Sequence, residues 1–220
     1  MPDRDTYTIH IDGRWSLEDL YVFPRTYEQV YFALEALLPA RDEETNERVL
    51  RAFKAFPWQG GYSAVGFYNQ LKFATPARRR PTVESISYSS PGWIEIGAII
   101  PLAYGVAHIV NHISKALEQC NRTYNQIYTD AQKRELLRIE VERKRLKLTK
   151  EQLKFTIESS DELSQLMDLP SVQVIHDRTE NPLISMKILL SLFRRVRTLA
   201  SYQERGKAEF NDSREGSNKR

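Results

Sequence analysis

From Gln119 to Ile157 the chain contains neither proline nor glycine. So long a run without a backbone breaker has few folded options, because nothing in it makes a tight turn at low cost. It reads as a long helix over 119–158. Within it Leu136, Ile139, Leu146, Leu153 and Ile157 recur in alternating steps of three and four, with Arg143 and Lys150 at two intervening positions. That period is the seam of paired helices. The helix is therefore expected to be partly coiled coil, and to join copies of the chain as a dimer or higher oligomer through those five apolar residues.

The residues before it, 1–118, read as an α+β domain. "TYTIHIDG" alternates and ends in Asp-Gly, which suggests a first strand over Tyr7–Ile11. "SLEDLYVF" opens with a Ser-x-x-Asp pattern that caps a short helix from Leu17, and Pro24 is expected to punctuate it. Tyr27, Val30, Tyr31, Leu34 and Leu37 then share one face of a helix. Two more amphipathic helices follow, one carrying Val49, Leu50, Phe53 and Phe56, the next Val65, Tyr68 and Leu71. "TVESISY" and "WIEI" read as two strands. Ser90-Pro91-Gly92-Trp93 between them fits a type II turn, with Gly92 at positive φ. With the first strand they make an antiparallel sheet of about three strands.

The apolar run Gly97–Ala107 is too short for a bilayer, which needs ~20 predominantly apolar residues. It is expected to be a helix buried against the sheet; a membrane-associated effector acting through 97–113 is the remoter reading. Beyond the long helix, 159–203 reads as a C-terminal helical region. "SVQVIHD" there suggests a further strand, and Asn181-Pro182 opens an amphipathic helix over Leu183–Gln203. The polar 204–220 is expected to be a disordered tail.

Charge narrows the partners. The net charge is only +3, but Met1–Pro57 holds seven Lys/Arg against eleven Asp/Glu, and Asn121–Glu158 holds ten against six. An acidic front and basic later helices suit pairing between copies, or an anionic partner. Arg78, Arg79 and Arg80, with Arg143, Lys144, Arg145 and Lys147, are the candidate nucleic-acid contacts. Interleaved Glu140, Glu142 and Glu151 favour an ordinary solvated helix. A single cysteine, Cys120, excludes an internal disulfide and a thiolate cluster and suggests a reducing, cytoplasmic setting. The start lacks the pattern of a signal peptide.

His108 and His112 stand at helical ligand spacing but lack a third ligand, so no metal is expected. "QGGYSAVG" lacks the Gly-Lys-Ser/Thr of a phosphate loop, and no cofactor is expected. Glu84 and Glu95 could face each other across the hairpin, yet no histidine or cysteine joins them, so no catalytic residue is assigned. The segment "VESISYSSPGWIEI" followed by a helix, through Val83, Ile86, Tyr88, Ser90, Pro91 and Ile96, resembles uncharacterised bacterial proteins associated with conflict and defence systems. The resemblance covers about twenty-five residues. It implies a bacterial cytoplasmic accessory protein whose small sheet is an interaction platform. Function is thus expected to be protein interaction or regulation in a homo-oligomer or larger complex, with itself and a further protein as partners and nucleic acid as the alternative.

Overall fold

A computed structural model describes residues 4–39, 42–55, 61–139, 148–169 and 172–211. Strand β1 (Arg4–Ile11) precedes helices α1 (Leu17–Leu37), α2 (Glu43–Ala55) and α3 (Gly61–Ala74). The hairpin β2 (Thr82–Ser87) and β3 (Gly92–Ile99) runs into α4 (Ile100–Ser114). Helices α5 (Leu117–Lys133), α6 (Lys150–Leu166), α7 (Gln173–Thr179) and α8 (Pro182–Glu204) follow, then strand β4 (Ala208–Phe210). The fold is α+β with an antiparallel sheet. It divides into two compact units of several segments each, with one boundary at Leu117/Glu118, beside the expected end of the first domain at 118. One holds the residues up to Glu35, Thr75–Leu117 and those from Arg195; the other holds Ala36–Ala74 and Glu118–Arg194.

In the first unit the strand order is β2-β3-β1-β4, every pair antiparallel. The register sets Tyr7 opposite Ile96 and Ile9 opposite Ile94 and Phe210, so these side chains share the buried face. Helix α4 packs on the sheet through β1, β3 and β4. Leu102, Ala103, Val106, Ala107, Val110 and Ile113 are all buried, so the apolar run is an internal helix with Pro101 in its first turn. Among the described residues no helix is long and apolar enough to cross a membrane.

The fourth strand lies inside the segment expected to be a disordered tail. Its two inward residues, Ala208 and Phe210, are buried, and Phe210 stacks on Tyr27. Three alternating residues are too few to stand out as a strand from sequence. Pro24 also departs from expectation, since α1 continues through it to Leu37.

The start of α1 is held as Ser-x-x-Asp requires. The Asp19 N–H donates to Ser16 Oγ at 3.1 Å, and the Ser16 N–H donates back to Asp19 Oδ2 at 2.8 Å. Asp19 also accepts from Lys207 Nζ at 2.8 Å and from the Tyr202 hydroxyl at 2.9 Å. Lys207 first, then these hydrogen bonds, hold the carboxyl far below the usual carboxylate range. Because the folded value is depressed, this stabilisation is present above the unfolded value, about 3.9, and disappears as pH falls through the folded one. Asp19→Ala is expected to cost about 2–3 kcal/mol at pH 7. The deficit should shrink below pH 3; a deficit equally large there in acid melts would refute the assignment.

The β2–β3 turn is not type II. The Ser90–Pro91 peptide is cis, and Gly92 is not at positive φ. Glycine is needed at 92 for space: a Cβ there would lie 2.7 Å from the Ser89 carbonyl oxygen and closer still to that of Ser87.

In the second unit, Phe53 of α2 meets Phe67 of α3 edge to face at 5.2 Å, and Tyr124 of α5 stacks on Phe193 of α8 at 4.9 Å. Among the described residues the expected helix over 119–158 is broken, with α5 ending at Lys133 and α6 beginning at Lys150. Helix α5 stops at Lys133, where Glu135 takes a left-handed φ of 58°. The Leu136 N–H then returns to the Ala131 carbonyl at 3.0 Å, and the Glu135 N–H bonds to that of Gln132 at 2.9 Å. This is the helix stop usually made by glycine, here with Leu136 fully buried as its apolar anchor. Helix α6 begins afresh with Thr149 as N-cap, in a reciprocal capping box with Gln152. Buried Lys187 donates to the Ile139 carbonyl at 3.0 Å, holding the chain beyond the stop; burial pulls its pKa down to about 8.

Gln173–Asp177 of "SVQVIHD", read as a strand, lie in α7. Its buried residues, Ile175, Arg178 and Thr179, have helical spacing. Helix α8 starts as Asn181-Pro182 implies, with Asn181 Oδ1 accepting from the N–H groups of Leu183 and Ile184 at 3.0 and 3.2 Å. From Leu183 to Phe193 it is buried all round, so it is a core helix there.

Candidate interaction surface

The inner face of the sheet is covered over β3 and open over β2. Val83 pairs with Ile96 and Ile86 with Ile94, so all four point to one side. Ile94 and Ile96 are 2% and 6% exposed, whereas Val83 and Ile86 are 53% and 51% exposed. Tyr88 continues the row at 59%. Helix α1 forms the opposite wall with Phe23, Pro24 and Tyr27, leaving a cleft of about 210 Å³ floored by Ile94 and Ile96. The Tyr88 hydroxyl accepts from the Trp15 N–H at 2.9 Å, tying the end of the hairpin to the start of α1. The Tyr27 hydroxyl is buried without a hydrogen-bond partner, and burial, then the nearby Tyr7 and Tyr31 hydroxyls, push its pKa well up.

Beside the cleft α1 exposes Leu17, Leu20 and Tyr21. Leu17, Leu20 and Tyr21 stand at i, i+3 and i+4, so one face is already legible in the short helix expected from Leu17; that it faces outward follows only from the packing.

The expected oligomer seam is not one surface. Leu136 is buried as the stop of α5, Ile139 lies beyond that stop, and Leu146 is outside the described residues. Leu153 and Ile157 remain side by side on α6, about 40% exposed. Leu153→Glu is expected to leave the molar mass in solution unchanged; dissociation by it, seen in light scattering, would restore the seam.

The basic candidates also separate. Arg79 is buried, its Nη2 donating to Glu35 Oε2 at 2.8 Å while its Nε pairs with Oε1. Arg80 Nε donates to the Thr75 carbonyl at 2.9 Å, and Arg78 is exposed. Arg143, Lys144, Arg145 and Lys147 lie outside the described residues. Two of the three arginines therefore hold the chain's own structure.

A β-bulge between Val83 and Ser85 sets Ser85, not Glu84, opposite Glu95. Ser85 Oγ donates to Glu95 at 2.6 Å, while Glu84 accepts from Thr82 at 2.6 Å and lies 3.8 Å from Arg4. The two carboxylates are thus engaged separately. His108 and His112 are exposed with ring centroids 6.5 Å apart, and among the described residues no group of three metal-ligating side chains forms. His176 Nδ1 lies 2.9 Å from Ser185 Oγ, but Ser185 is fully buried beside Thr179, so this pair locks the start of α8 and offers no accessible nucleophile. The chain matches no family model, no curated protein and no solved structure.

Proposed function

We propose that this protein is an interaction or regulatory component that works by binding other protein surfaces, within a homo-oligomer or larger complex. The observation that carries the reading is the uncovered inner face of β2 beside the apolar row of α1. Burying one Leu, Ile or Val side chain is worth about 1.5–3 kcal/mol, so a solvent-exposed row of them is a standing drive toward association. The bacterial cytoplasmic setting implied by the Val83–Ile96 resemblance belongs to this same reading. Molar mass by light scattering at micromolar concentration, together with salt-dependent retention on DNA and RNA, tests it. An assembled species with no nucleic-acid retention supports it. A monomer retained on nucleic acid and released by salt would replace it with the nucleic-acid reading.

A further inference from the structure

We infer that the cleft between α1 and β2 is filled by the α1 of a second copy of this chain, in a two-fold dimer. This rests on the reading of the protein as a homo-oligomeric interaction component, and names the surface that does the work.

Both halves of a match lie in one patch. The cleft presents Val83, and Ile86 and Tyr88 continue its row along the hairpin outside the cleft, each about half exposed. Its own wall helix projects Leu17, 87% exposed, and Tyr21, 60% exposed, onto the surface beside it. A surface that carries a groove and, next to it, the residues to fill such a groove is self-complementary under a two-fold rotation. Leu17 and Tyr21 of each copy then cover Val83 and Ile86 of the other.

Charge agrees with the same axis. Glu18 and Arg25 flank Tyr21 on the exposed face of α1, three residues before it and four after. Two α1 helices crossing antiparallel near Tyr21 bring Glu18 of each toward Arg25 of the other; a parallel approach opposes like charges.

The area suffices. Leu17, Leu20, Tyr21, Val83, Ile86 and Tyr88 expose on the order of 100 Å² each, roughly 600–700 Å² in all, against the ~800 Å² per partner of a standard interface. The contact is made through the face of the sheet, because the edge is guarded. The bulge between Val83 and Ser85 interrupts the β2–β3 ladder, a device that opposes strand-to-strand pairing at the edge.

The test is sedimentation velocity on the full chain from nanomolar to tens of micromolar. A dimer is expected, and Leu17→Asp and Ile86→Lys, both at exposed positions, should each raise its dissociation constant at least 100-fold while circular dichroism stays unchanged. Tyr21→Cys in a Cys120→Ser background should form a disulfide-linked dimer under mild oxidation, whereas Leu153→Cys should not. An oligomer unmoved by either variant, without the Tyr21→Cys crosslink, would overturn this interface and leave the oligomeric reading standing. A wild-type monomer across the whole range would overturn both.

Discussion

Glu35→Ala is expected to lower stability by about 3–5 kcal/mol, the cost of leaving a buried ionic partner uncompensated. The Glu35 carboxylate grips Arg79 through Nε and Nη2, with the two side chains only 12% and 10% exposed. Arg79 Nη1 is already buried without a partner, so the guanidinium has nothing in reserve. The pair sits at a junction. The Tyr31 hydroxyl donates to the Arg79 carbonyl at 2.9 Å and accepts from the Ile99 N–H at 3.1 Å, linking α1, the turn before β2 and the end of β3. Arg79 keeps its charge when Glu35 is removed, because a guanidinium holds its proton at neutral pH, so no neutralisation of the arginine relieves the loss. Glu35→Leu with Arg79→Leu should recover most of the deficit, because a matched apolar pair owes no desolvation. Urea denaturation of the three proteins decides it. A single variant as stable as wild type would show that Arg79 reaches water, and that the pair is a surface bridge.

Gly92→Ala is expected to cost about 1–3 kcal/mol and Gly92→Val more, through overpacking against fixed backbone. The methyl of alanine would overlap the carbonyl oxygens of Ser87 and Ser89, which belong to the hairpin itself. Gly97 gives the contrast. A Cβ there meets the Glu84 carboxylate and the Thr82 hydroxyl. Glu84 is about half exposed, so it can swing aside, and Gly97→Ala should cost well under 1 kcal/mol. The cause at 92 is separable from backbone conformation. If positive φ were the requirement, asparagine would be tolerated better than alanine. Contact with backbone predicts that Gly92→Asn is at least as damaging as Gly92→Ala. Thermal melts in which asparagine clearly outperforms alanine would return the type II turn.

Much of the first unit was legible because its signals are local. Alternation marks Tyr7–Ile11, and Ser-x-x-Asp marks the start of α1; in the second unit Asn-Pro marks the start of α8. The long helix was misread for a physical reason. Absence of glycine does not mean absence of a stop, because Glu135 adopts the left-handed conformation when Leu136 has a core to enter. Thr149-Lys150-Glu151-Gln152 carried a restart signal, a capping box hidden within a heptad pattern. The interaction surface was half visible. The alternation of "TVESISY" sets Ile86 and Tyr88 on one side of their strand, but that the side lacks a cover follows from where α1 lies, which depends on contacts far apart in sequence. Arg79 looked like a ligand for phosphate because its true partner, Glu35, is 44 residues away.

The pairing of β1 with β4 imposes an order on how the protein is made. Ile9 and Phe210 are neighbours in the sheet, yet α2, α3 and α5 to α8 are synthesised between them. As the chain leaves the ribosome, β1, β2 and β3 emerge first and must wait for Ala208–Phe210. Until then the Phe23 and Tyr27 rings lack the Phe210 ring that packs beside them, and the outer edge of β1 stays open. The interval before Ala208–Phe210 emerge leaves the first unit without that edge strand. It is in that interval that the exposed edge of β1 is most open to a wrong strand.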